Sequence, residues 1–242
     1  MGNVNAPKCS NETDFILGDK EDDFSVVLAV AYLIYLVVGL PLNLLVIVTI
    51  VRQRLYTQPT TLLLLNLFIT DFLVLLLVLP FSVVTGLARE YIFGNSHSVR
   101  CAVCIGHLSL DFVLHFSLLL TITLLTLDRF FFIYKALYYE KLVTVRKMLV
   151  AIAMAWILSV LLTVLHYTLS DDTYFASSVF LCVWESGIQN YITIVAEVLP
   201  YLLGLLFNVW VIFIAVKNIR AVYKVQETPR GRLRRLWLWR IS

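Results

Sequence analysis

Charge is what this sequence has least of. Only 14% of its residues are charged, 60% are hydrophobic, and the mean hydropathy is +0.88. A soluble globular chain carries about 25% charge. The shortage excludes a disordered chain and argues against a water-soluble enzyme. The apolar excess is spread along the chain, which excludes a single membrane anchor. Residues 1–23 are polar, so no signal peptide is expected and the first apolar run is expected to serve as its own insertion signal. There is no short repeat, no low-complexity tract and no period-two alternation of a membrane barrel. Cysteines number only four, Cys9, Cys101, Cys104 and Cys182. They allow three pairings, and spacing alone does not choose among them.

What is present is a series of long apolar runs. Crossing about 30 Å of hydrocarbon at about 1.5 Å per residue takes about 20 residues. Five stretches qualify: Phe24–Val51, Leu55–Ala88, Cys101–Leu127, Met148–Leu169 and Ser186–Val216. Lipid offers no partner for backbone polar groups, so each is expected to be a helix. The domain reading is an outer segment 1–23, a helical region 24–216 and a basic tail 217–242. Of the 19 basic residues, only Lys8, Lys20, Arg89 and Arg100 lie on the side of the N-terminus. By the positive-inside rule the N-terminus is outside and the C-terminus cytosolic. The basic side then faces anionic lipid or an inner partner rather than nucleic acid. All four cysteines fall on the outer, disulfide-permissive side, as does the glycosylation sequon at Asn11.

The few polar residues inside these runs carry the functional signal. A charge at mid-helix costs about 2.5 to 3.5 kcal/mol, so it is expected to face protein and to mark a site. Asp71 is the only charge in the second run, Asp111 in the third and Glu197 in the fifth. Asn43 and Asn66 read equally as interhelical hydrogen-bonding groups. His107, Asp111 and His115 recur one turn apart, and a polar stripe lining a cavity is favoured over metal, because no companion ligand cluster stands elsewhere. Arg129 lies on the same face as Asp111, about 27 Å away, near the opposite membrane surface. Asp128 and Arg129 begin a polar break at the inner end of the third run. Pro80 and Pro200 are expected to bend their helices.

Taken together, these residues resemble the rhodopsin-like G-protein-coupled receptors. Gly39-x-x-x-Asn43 looks like the first-helix signature, Asn66-Leu67-x-x-x-Asp71 the second, and Cys104 with Asp128-Arg129-Phe130 the third. Trp156 and Pro200 fit the fourth- and fifth-helix positions. The resemblance implies an all-α membrane protein of the plasma membrane, with five helices of a seven-helix bundle. It implies a Cys104–Cys182 disulfide and a sodium ion beside Asp71 as the only cofactor. Arg129 would be held by Asp128 at rest and released toward a heterotrimeric G protein, with Leu137 inserted into that partner. The ligand, an amine or a peptide with a cationic group, would meet Asp111, His107, Phe112, His115, Ile192, Thr193 and Ala196. No catalytic chemistry is implied.

The departures are specific. Phe130 replaces a tyrosine, Ala136 a proline and Asn208 a tyrosine, and Leu118 replaces a hydroxyl of the sodium site. No sixth- or seventh-helix motif follows Val216. The chain therefore reads as a receptor fragment or, alternatively, as a five-helix product that pairs with complete receptors and alters their folding or traffic. A receptor dimer belongs to the same expectation.

Overall fold

The computed structural model describes residues 23–88, 92–134, 138–169, 172–176 and 181–185, with scattered positions between 202 and 217. Among the described residues, four helices are long and apolar enough to cross a membrane. They are α1 (Asp23–Arg52), α2 (Pro59–Ala88), α3 (His97–Tyr134) and α4 (Val145–Leu169). A shorter apolar helix, Gly204–Ile214, falls within the fifth expected run.

The helix ends differ from the apolar runs for local reasons. The second run was expected to be helical from Leu55. Instead Leu55–Thr57 forms a separate 3₁₀ turn after Arg54, whose φ of 53° lies in the left-handed region. Gln58 is extended, as the residue before a proline prefers to be, and Pro59 opens α2 where its missing N–H costs nothing. At the third run the helix exceeds the expectation at both ends. Asp128 and Arg129 stand inside α3 rather than in a break, because polar side chains at a membrane surface do not stop a helix.

Pro80 leaves its mark one turn earlier. Residues Val74–Val78 are wound as a π-helix, with the Leu79 N–H donating to the Val74 carbonyl. Proline has no N–H and crowds the carbonyl four residues back, so a widened preceding turn lets α2 run on to Ala88.

The packing inverts that of a water-soluble protein. Large aliphatic side chains such as Val37, Leu45 and Leu161 point outward, while Thr70, Thr85, Ser117, Thr121, Ser159 and Thr163 are buried. Most of these hydroxyls donate to the carbonyl one turn back, as Ser159 does to Ala155 at 2.8 Å and Thr163 to Ser159 at 2.9 Å. Small residues then bring helices close with most of their donors met inside the helix, the buried Ser117 Oγ being the exception in this set. One close approach is at Gly86, where a Cβ would sit 2.7 Å from the Ala29 Cβ.

Beyond α4 comes an element absent from the all-α expectation. Strands β1 (Asp172–Ala176) and β2 (Leu181–Glu185) pair antiparallel, with Phe175 opposite Cys182. The alternating aromatic and β-branched residues of Thr173–Phe175 and Val183–Trp184 suit a strand.

Candidate functional site

The hairpin is fastened to α3. Cys104 and Cys182 form a disulfide with Cα atoms 5.7 Å apart, the pairing that the family resemblance implies. Cys101, one turn earlier, is also disulfide-bonded, its partner lying outside the described residues. Phe81, Cys101, Cys104, Leu108 and Cys182 make one buried apolar cluster. It joins α2, α3 and β2 above the level of Asp111.

Below that cluster α3 presents the expected polar stripe, and its members are not equivalent. The His107 ring stacks on Phe81 at 3.9 Å, and its Nε2 lies 3.3 Å from the Val78 carbonyl oxygen. Its contacts are thus to the protein's own frame. Phe112, Phe116 and His166 form an aromatic group with centroids 5.2 to 5.8 Å apart, bridging α3 and α4. The His115 ring sits edge-on to Phe116 at 6.3 Å. Asp111 lies between the histidines, half-buried, and its carboxylate accepts no hydrogen bond among the described residues. No cluster of metal-ligating side chains exists among the described residues.

Deeper in the bundle, Asp71 is engaged on both oxygens. Asn43 Nδ2 donates to Oδ2 at 2.7 Å, and the Tyr35 hydroxyl donates to Oδ1 at 3.2 Å. Asn43 also donates to the Gly39 carbonyl at 2.9 Å. Each Asp71 oxygen accepts one hydrogen bond and keeps further acceptor capacity, while Leu118 offers no hydroxyl to a sodium ion at this position. A second polar link ties three helices: Trp156 Nε1 donates to Asn66 Oδ1 at 3.1 Å, and Asn66 Nδ2 donates to the Thr121 hydroxyl at 2.8 Å.

At the inner end Asp128 is 2% exposed. The Thr60 hydroxyl donates to its Oδ2 at 2.8 Å, and the Tyr139 hydroxyl donates to its Oδ1 at 2.6 Å. Thr60 and Tyr139 are themselves 3.1 Å apart. Tyr139 stands on a single helical turn, Tyr139–Leu142, between α3 and α4. Burial raises its hydroxyl pKa, and the hydrogen bond and charge of Asp128 raise it further, against Thr60 and Arg129. The Asp128–Arg129 pair expected for the resting state is not the arrangement here: Asp128 is held by two hydroxyls, and Arg129 is exposed. Phe130 faces the other way, stacking on Tyr134 at 5.4 Å and on Trp210 of the shorter helix at 5.1 Å.

Tyr35, Thr60, Tyr139 and Trp210 had no signal in the linear sequence. Of the expected site residues, Asn11, Leu137, Ile192, Thr193, Ala196 and Pro200 lie outside the described residues.

Four spanning helices, a hairpin bonded to the third, and polar links at two depths define a polytopic receptor-type bundle. Residues 42–236 match the family described as "7 transmembrane receptor (rhodopsin family)". The chain belongs to this family, which is a receptor class and not an enzyme class, and it is a multi-pass membrane protein. It is similar to the alpha-2Da adrenergic receptor of Danio rerio, 31% identical over 139 residues, 57% of this chain and 32% of that protein. The D(1B) dopamine receptor of Mus musculus is 32% identical over 122 residues, covering 50% and 24%. The 5-hydroxytryptamine receptor 1F of Rattus norvegicus is 32% identical over 123 residues, covering 51% and 32%. The chain matches about a third or less of the length of these relatives.

Proposed function

We propose that this chain is part of a receptor that binds an extracellular ligand through a cationic group and passes the signal to a heterotrimeric G protein. One observation carries the reading: the half-buried Asp111 carboxylate has no hydrogen-bond partner among the described residues. A carboxylate held away from water is costly unless paired, and a protonated nitrogen from outside is the complement it lacks. The relatives named for adrenergic ligands, dopamine and 5-hydroxytryptamine support an amine, and a peptide with a basic side chain has the same chemistry at this point.

Two independent features support one orientation. The disulfides of Cys101 and Cys104 require an oxidising compartment at that end of α3. The basic residues Arg146 and Lys147 stand at the start of α4, and Arg129 near the end of α3 opposite to those disulfides. The Asp111 end is then extracellular and the Arg129 end cytosolic. In this reading the exposed Arg129 is the group offered to the G protein, and ligand binding favours the helix arrangement that offers it.

The test is a panel of primary amines, each with its neutral N-acetyl analogue, read by G-protein activation in cells expressing the receptor. Amines should activate and the neutral partners should not. Arg129→Ala should abolish activation while leaving binding and surface expression intact. Equal responses to charged and neutral partners contradict the reading.

A further inference from the structure

A cleft of about 400 Å³ opens between α3 and α4, well apart from Asp111, on a face where Met154, Leu158 and Leu161 are exposed. Leu120 and Leu124 form one wall, and Ala151, Met154, Leu158 and Leu161 the other. The space exists because Ala151 and Ala155 put methyl groups where larger side chains would fill it. Its lining is almost wholly carbon. Two further features say what fills it.

The first is length. Ala151 to Leu161 covers about 15 Å of helix axis, half of a hydrocarbon core about 30 Å thick, and so the depth of one leaflet. The second is charge. Residues 147, 151, 154, 158 and 161 share one stripe of α4 by helical spacing, and Lys147 ends that stripe at the inner membrane surface. Lys147 Nζ donates to the carbonyls of Lys141 and Leu142 at 3.4 and 3.0 Å. An ammonium has three donors, so one remains, and no carboxylate among the described residues pairs with the charge. Exposed Tyr134 and Arg146 stand at the same level.

We propose that this cleft binds one anionic phospholipid of the inner leaflet, with an acyl chain along Ala151–Leu161 and the phosphate at Lys147. The inference rests on the orientation given above only for the choice of leaflet. A sterol would fill the cleft but leave the ammonium without an anion. A second copy packed symmetrically through α4 would set Lys147 against its own counterpart.

The probe is a phosphatidylserine with a photoactivatable acyl chain, in phosphatidylcholine vesicles holding the purified chain, with labelled residues mapped by peptide mass spectrometry. Labelling should concentrate on residues 120–124 and 151–161 over the exposed face of α1. Lys147→Gln should lower it about fivefold, the effect of one basic residue on an anionic headgroup. A phosphatidylcholine probe with the same chain should be indifferent to that change. Ala151→Leu should remove the labelling, and because Lys147 is exposed, Lys147→Gln keeps the test valid if the filled variant does not fold. Even labelling around all helices overturns the proposal. So does indifference to Lys147, or efficient disulfide dimerisation of Met154→Cys with the cleft unlabelled.

Discussion

Tyr139→Phe isolates the polar contact at the inner end. The substitution removes one hydroxyl and leaves the ring, which packs edge-on against Phe132 at 5.2 Å. It deletes the 2.6 Å hydrogen bond to Asp128 Oδ1 and the 3.1 Å contact with Thr60. A hydrogen bond to a charged group contributes about 1.5–3 kcal/mol, and the partial exposure of Tyr139 brings the loss to about 1 kcal/mol, since water replaces part of it. The freed oxygen becomes available to Arg129, the next residue. A shift of about 1 kcal/mol changes the ratio of two arrangements about fivefold, away from the one that exposes Arg129. Basal and agonist-driven G-protein activation, measured at matched surface expression, should fall by that factor. Thr60→Val should act in the same direction, and the double variant should lose less than the sum, because the two hydroxyls touch each other. Unchanged or increased signalling from Tyr139→Phe refutes the assignment.

Other outcomes follow from the same geometry. The raised Tyr139 pKa means that the folded state holds its proton more tightly than the unfolded chain. Its contribution is therefore complete below the ordinary tyrosine value of about 10 and is lost as pH rises beyond it. Thermal stability should show no Tyr139-dependent change from neutral pH up to about 9, with Tyr139→Phe as the control. Gly86→Ala drives a methyl into the Ala29 Cβ at the α1–α2 crossing and should cost about 1–3 kcal/mol, read as a lower melting temperature in detergent. Trp156→Phe leaves Asn66 Oδ1 without its donor and should cost about 1 kcal/mol in the same melt. Cys182→Ser opens a loop with a sequence separation of 78 and should cost about 4 kcal/mol, with reduced ligand affinity because β2 loses its hold on α3.

The helices were legible because hydrocarbon imposes one requirement, sustained apolarity, that a linear reading detects. Their ends were not. Gln58-Pro59 breaks the second run by backbone restriction inside an apolar stretch, and α3 continues past Asp128 because an interface tolerates charge. Asp71 and Asp111 stood out by the cost of a carboxylate in lipid, and Asp128 by the family resemblance, but their partners did not. Thr60 and Tyr139 reach Asp128 across 68 and 11 positions by helix packing, which no spacing encodes. His107 shows the limit most clearly: its periodicity with Asp111 is real, yet Phe81 and the Val78 carbonyl decide what its ring touches. The hairpin carried a weak signal of alternating β-formers, overshadowed by the apolar runs around it.

If Asp111 receives the cationic group of an extracellular ligand, removing its charge removes that pair. The most direct measurement is equilibrium binding of an activating amine to the receptor and to its Asp111→Asn variant. Asparagine keeps the shape and removes the charge. Loss of one partner of a desolvated charge pair costs about 2–5 kcal/mol, so affinity should drop by about thirtyfold or more at unchanged surface expression. Affinity within about twofold of the unsubstituted receptor would contradict the account, since that difference is below 0.5 kcal/mol and no charge pair would have been lost.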